Sequence, residues 1–141
     1  MVYFRYIIAA FLIIFVPVGT FFLFFMDVIP RSSPHAARVE HVVLLRFRPD
    51  VAKPDIEGVF AALEQLQETI PGITRIRTGA NSSPEGLGRG YSHLFIVDFA
   101  SIAARDAYLT NPRHAAVAEQ LLALADGGTD GLIVADLAAA E

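Results

Sequence analysis

The chain has no cysteine. That excludes disulfides, thiol nucleophiles and thiolate metal sites, and it is compatible with either redox compartment. Basic residues are scarce as well. From Ala36 onward, nine Lys and Arg stand against fourteen Asp and Glu, a balance of about −5, and no basic run interrupts it. A domain without a positive stripe lacks the electrostatic footprint that binds phosphate backbones, so no nucleic acid is expected among its partners. Metal motifs are missing too. The four histidines fall in neither H-x-x-x-H nor H-E-x-x-H spacing, and neither a metal nor a cofactor is expected. The glycine-rich stretch SPEGLGRG fits neither phosphate-binding fingerprint. It reads as an inter-strand loop that could cover the mouth of a pocket.

From one long stretch, charge itself is absent. Between Arg5 and Asp27 run 21 uncharged residues, YIIAAFLIIFVPVGTFFLFFM, and much of the 54% hydrophobic content and the mean hydropathy of +0.48 is concentrated there. As a helix they would span about 30 Å, the thickness of a bilayer's hydrocarbon core. A cleaved signal would have a hydrophobic region of only about 7–15 residues and an A-x-A-like site after it. This run is longer, and DVIPRSSPHAAR offers no clean small-x-small site. The expectation is therefore a single-pass membrane protein, with residues 1–29 as an anchor and residues 6–26 in the bilayer. Tyr3, Phe4 and Tyr6 suit one interface, and Pro17 is tolerable within a membrane helix. Arg5 on one side and Arg31 and Arg38 on the other leave the orientation undetermined. Residues 30–37, with PRSSP, read as a polar linker. Residues 38–138 read as one folded domain.

Within that domain the hydrophobic period alternates between strand and helix. VEHVVLLRFR, from Val39 to Arg48, is predicted as a central strand. Pro54, in the first turn, opens a helix with Ile56, Val59, Phe60, Leu63, Leu66 and Ile70 on one stripe, and Pro71-Gly72 ends it. ITRIRTG, Ile73 to Gly79, is a more polar strand near an edge. YSHLFIVDF, Tyr91 to Phe99, is another strand. Ser101 caps a helix that Pro112 breaks, and a second segment runs to about Ala125. LIVADL, Leu132 to Leu137, is the last strand. The order is βαββαβ, an α+β ferredoxin-like arrangement: a four-stranded antiparallel sheet with helices on one face. The other face would expose Val42, Leu44, Leu94 and Ile96. An apolar face of that size predicts a partner, most simply a second copy by two-fold symmetry.

A few residues carry potential chemistry. His41 and His93 share strand parity with Phe47, Tyr91 and Phe95, which is assigned to the helix-facing side. His114 follows the Pro112 break, in a stripe with Val117, Ala118 and Leu121. Tyr108 precedes the break, with Ile102 and Leu109 expected beside it on the inward face. Two readings stand. Buried histidines and a tyrosine commonly satisfy local backbone groups, and His114 could hold carbonyls freed by Pro112. Alternatively, His114 is a general base and Tyr108 a donor to a developing oxyanion, in a pocket for a small apolar or aromatic ligand.

The stretches HVVLLRFRPD, PGITRIRTGANSSPEGLGRGYSHLFIVDF, AYLTNPRHAAV and LIVADL, in that order, resemble the stress-responsive A/B barrel (Dabb) domain family. The resemblance covers about Arg38 to Leu137. It implies a dimeric α/β barrel of ferredoxin-like subunits. The family is functionally mixed, and many members are known only as stress-associated. One plant member is a polyketide cyclase that closes a linear tetraketide by aldol condensation without a cofactor. On matching the kink motif, its catalytic tyrosine and histidine fall at Tyr108 and His114, and its other pocket histidines at His41 and His93. Related barrels include cofactor-free monooxygenases and haem enzymes, so the fold does not choose the chemistry. The leading expectation is a membrane-tethered homodimer that binds a small apolar ligand among His41, His93, Phe47, Tyr91 and Phe95. The alternative is a cofactor-independent cyclase or lyase using Tyr108 and His114. A cavity on the order of 300 Å³ lined by that pair would favour binding or catalysis over packing alone.

Overall fold

The computed structural model describes residues 38–139. The expected membrane helix, residues 6–26, lies outside them. Among the described residues no helix is long and apolar enough to cross a membrane.

The elements follow the predicted order. Strand β1 is Arg38–Leu45, helix α1 is Lys53–Glu64 and a short helix α2 is Leu66–Thr69. Strands β2, Ile73–Ala80, and β3, His93–Phe99, come next. Helix α3, Ile102–Leu109, and helix α4, Pro112–Leu124, flank the Asn111-Pro112 break, and a 3₁₀ turn, Gly128–Gly131, leads into β4, Leu132–Ala139. The sheet order is β2-β3-β1-β4, antiparallel throughout. This is the ferredoxin-like order, with β1 and β3 inside and β2 and β4 at the edges.

Local chemistry explains the boundaries. Pro54 sits in the first turn of α1 and Asp55 faces the helix's positive end. The Ser101 hydroxyl accepts from the Ala104 N–H at 3.1 Å and caps α3. The Asn111 side chain accepts from the Arg113 N–H at 2.9 Å and starts α4 anew just before Pro112. Gly72, at φ 91, ends the first helical stretch, and a Cβ there would meet the Ala104 Cβ at 2.5 Å. Only glycine satisfies both the backbone angle and this approach of α3.

Three expectations shift. β1 stops at Leu45 rather than Arg48, because the chain bonds elsewhere: the Arg46 N–H donates to the Gly131 carbonyl at 2.8 Å and the Arg48 N–H to the Leu124 carbonyl at 3.0 Å. β3 starts at His93 rather than Tyr91. β2 contains a bulge between Ile73 and Arg75. The extra residue lets Ile73 and Ile76, three apart, both turn inward, where strict alternation would split them.

The inward face of the sheet alternates as predicted. Val39, His41, Val43 and Leu45 of β1 are buried, as are Phe95, Val97 and Phe99 of β3. Leu63, Leu66, Val117 and Leu121 close over them from the helices. On the opposite face Val42, Leu44, Leu94 and Ile96 are only half-buried, and Ile133 is 45% exposed. Among the described residues nothing covers that face.

Candidate functional site

Between the helices and the β1–β4 side of the sheet lies a cavity of about 250 Å³. The sheet contributes His41 and Val43 from β1, Phe95 from β3, and Leu132 and Val134 from β4. The helices contribute Tyr108, His114, Val117 and Leu121, with Leu63 of α1 beneath. The wall is almost entirely apolar; besides the exposed Thr129, its polar groups are three side chains.

The Pro112 break brings two of them together. The Tyr108 and His114 rings lie 4.1 Å apart, centre to centre, tilted by 39°. Tyr108 is fully buried. Both its hydroxyl and the His114 Nδ1 are buried without a well-formed hydrogen bond among the described residues, although the His114 ring lies close to the Leu109 backbone. Burial pushes the Tyr108 pKa well above its ordinary value, so the hydroxyl stays protonated. Burial also lowers the pKa of His114, partly opposed by the Leu109 backbone and reinforced by His41. A neutral imidazole and a protonated phenol thus meet at one end of an apolar cavity.

The third group is His41, whose ring lies 6.0 Å from that of Tyr108. Its Nδ1 is 2.7 Å from Asp136 Oδ1. Strand pairing sets this contact, since His41 and Asp136 are direct partners across β1 and β4. The other Asp136 oxygen is held by Arg105 of α3, whose Nε also lies 2.7 Å from Asp106 Oδ1. Burial works against the Asp136 carboxylate, but hydrogen bonds and charge from His41 and Arg105 prevail and lower its pKa. The carboxylate commits the His41 Nδ1 and leaves Nε2 as the ring's free acid–base position.

Of the residues singled out in the sequence, His41, Phe95, Tyr108 and His114 meet at the cavity. Phe47, His93 and Tyr91 do not. His93 has the expected inward parity, but its ring packs 5.1 Å from Phe47 and 6.0 Å from Phe60, and burial lowers its pKa. Phe47 has left β1 and bridges to Ala125. Tyr91 lies before β3 under Arg46, whose guanidinium is 5.4 Å from the ring centre, and its hydroxyl donates to the Asp130 carbonyl at 3.4 Å. Ile102 and Leu109, expected to point inward beside Tyr108, are each 46% exposed; Leu109 still borders the cavity. Asp136 and Arg105 were not anticipated. Asp136 did leave a trace, as the lone charge in LIVADL at the same parity as Leu132 and Val134. Among the described residues no group of three or more His, Asp or Glu is arranged to hold a metal ion.

The fold and cavity together define a ferredoxin-like α+β domain with a polar-tipped apolar pocket. The family model described as the stress responsive A/B barrel domain matches residues 39–138. This chain belongs to that family. A stress-response A/B barrel domain-containing protein, HS1, of Arabidopsis thaliana is 31% identical over 98 residues, which is 70% of this chain and 86% of that protein. Olivetolic acid cyclase of Cannabis sativa is 25% identical over 76 residues, 54% of this chain and 75% of the cyclase. Among solved structures, a dimeric ferredoxin-like protein of unknown function from Jannaschia sp. superposes with a TM-score of 0.68 at 32% identity, covering 72% of this chain and 99% of that one.

Proposed function

We propose that this domain binds a small, largely apolar ligand carrying one polar head, in the cavity headed by Tyr108 and His114. One observation carries the reading. Two buried polar atoms, the Tyr108 hydroxyl and the His114 Nδ1, border an apolar space without a hydrogen-bond partner among the described residues. Unpaired buried polar groups are costly and rare, and a ligand head group would satisfy both at once. The cavity, at about 250 Å³, falls somewhat short of the roughly 300 Å³ at the lower end of drug-sized ligand pockets, which points to a small ligand. The site acts within a homodimer formed through the open sheet face, as suggested by the apolar outward side chains of β1, β3 and β4 and by dimeric relatives. The uncharged run of residues 6–26 supports attachment to a membrane as a single-pass protein.

A second reading is favoured by the His41–Asp136 pair. A carboxylate-oriented imidazole beside a protonated phenol is suited to moving a proton at a carbon next to a carbonyl. In that reading the domain is a cofactor-independent enzyme of the cyclase or lyase type. His114 or His41 takes the proton, and Tyr108 donates to the oxyanion. The likeness to a cyclase supports it.

The binding reading is tested by thermal unfolding of the full-length chain in a mild detergent with aromatic ketones, phenols and alkyl esters. A ligand at a hundred times its Kd adds about 2.7 kcal/mol. For a domain of this size that raises Tm by roughly 10 °C or more. The rise is expected in the wild type and absent in His114→Gln. No rise with any compound removes the support for a ligand site. Turnover of a binding compound, lost in Tyr108→Phe, selects the enzymatic reading.

A further inference from the structure

We infer that the cavity admits uncharged ligands and turns away carboxylates, and that Asp136 sets this choice. The inference rests on the ligand-binding reading above. Among the described residues no lysine, arginine, aspartate or glutamate lines the cavity. The charges stand one layer behind His41. Asp136 holds the His41 Nδ1 at 2.7 Å, Arg105 holds Asp136, and the same Arg105 holds Asp106 at 2.7 Å. One guanidinium thus serves two carboxylates.

A ligand carboxylate entering this space would shed its water, find no lysine or arginine among the described residues of the wall and sit in the field of Asp136. A ketone, aldehyde, ester or phenol needs only what the cavity holds. Tyr108 can donate one hydrogen bond, and a histidine nitrogen can donate or accept another. Burial keeps Tyr108 in its protonated form and favours neutral His114, which fits an uncharged head group.

The test compares matched pairs at pH 7.5 on the full-length chain in a mild detergent: acetophenone against benzoate, and methyl octanoate against octanoate. Affinity is read from the concentration dependence of the unfolding midpoint by circular dichroism. Val134→Trp, at a cavity position that is 56% exposed, blocks the space without burying new volume in the core and controls for uptake by micelles. The neutral member should bind the wild type and not Val134→Trp, and its acid should bind at least tenfold more weakly. Asp136→Asn should narrow that gap by strengthening the acid. An acid that binds the wild type as tightly as its neutral partner overturns the inference and leaves the binding reading standing. If neither member of either pair binds, the binding reading fails and the inference falls with it. The wild-type comparison does not depend on any variant folding.

Discussion

Tyr108 and His114 stack 4.1 Å apart across a helix break, and the break is what allows it. Six residues along a continuous helix would separate the two side chains by about 600° of rotation, or roughly 9 Å of rise. With Asn111 in extended conformation, at φ −77 and ψ 129, α4 restarts at a new angle and the rings meet. The hydroxyl and the imidazole nitrogen they present to the cavity are left without a hydrogen-bond partner among the described residues.

Tyr108→Phe removes an unpaired buried hydroxyl without opening a void. Deleting such a group relieves a desolvation cost of roughly 1–3 kcal/mol, offset by whatever water reaches it. The variant should therefore be as stable as the wild type or more stable by about 1 kcal/mol, while ligand affinity falls tenfold or more. Urea denaturation and ligand titration on the same sample check both. A loss of stability would mean that the hydroxyl serves the fold.

Stability should fall between pH 7.5 and 5.5. The folded pKa of His114 lies below its ordinary value of 6.5, so between the two values the unfolded chain binds more protons. The stability is complete above about 6.5 and is lost as pH drops toward the folded pKa. His93 adds in the same direction. Asp136, whose pKa is lowered from 3.8, contributes only at more acid pH. His114→Gln should flatten the decline between 7.5 and 5.5; denaturant midpoints at the two pH values measure it.

Gly72→Ala should cost about 2 kcal/mol or more. The φ of 91 strains any side chain, and the new methyl would overlap the Ala104 methyl at 2.5 Å. Because α3 carries Tyr108, ligand affinity should fall as well. Gly79→Ala, where a Cβ meets nothing within 4 Å, is the matched control and should be tolerated.

The open sheet face predicts a dimer. Light scattering of the full-length chain in mild detergent, corrected for the micelle, should give twice the chain's mass. Leu94→Arg, which points a charge from the middle of that face, should halve it while leaving far-ultraviolet circular dichroism unchanged. A monomeric wild type would exclude the sheet-to-sheet dimer.

The fold was legible because each strand and helix carries its period in apolar residues, and Pro, Gly, Ser101 and Asn111 mark the ends. The β2 bulge was not, because Ile73 and Ile76 at odd spacing imply an inserted residue only once Phe99 and Val97 are known to oppose them. The site was legible in part. Parity turned both His41 and His93 inward, but parity cannot say where along a strand a cavity lies. His93 falls beside Phe47 and Phe60, and His41 beside Tyr108. Asp136 was missed because its partner is 95 residues away in the chain. Only the pairing of β4 with β1 joins them.

That pairing has a consequence for how the chain finds its fold. If β4 slid by two residues along β1, every apolar side chain would stay on its own face, since inside and outside repeat every second residue. Leu132, Val134 and Ala138 would simply exchange neighbours among Leu45, Val43 and Val39. The slip would set Val134 or Ala138 against His41, and Asp136 would lose both its imidazole and Arg105, while the Arg46 N–H would lose the Gly131 carbonyl that precedes β4. The His41–Asp136 pair is thus one of the pegs that hold an edge strand whose greasy pattern would fit several notches, so residues of the site also help to align the sheet.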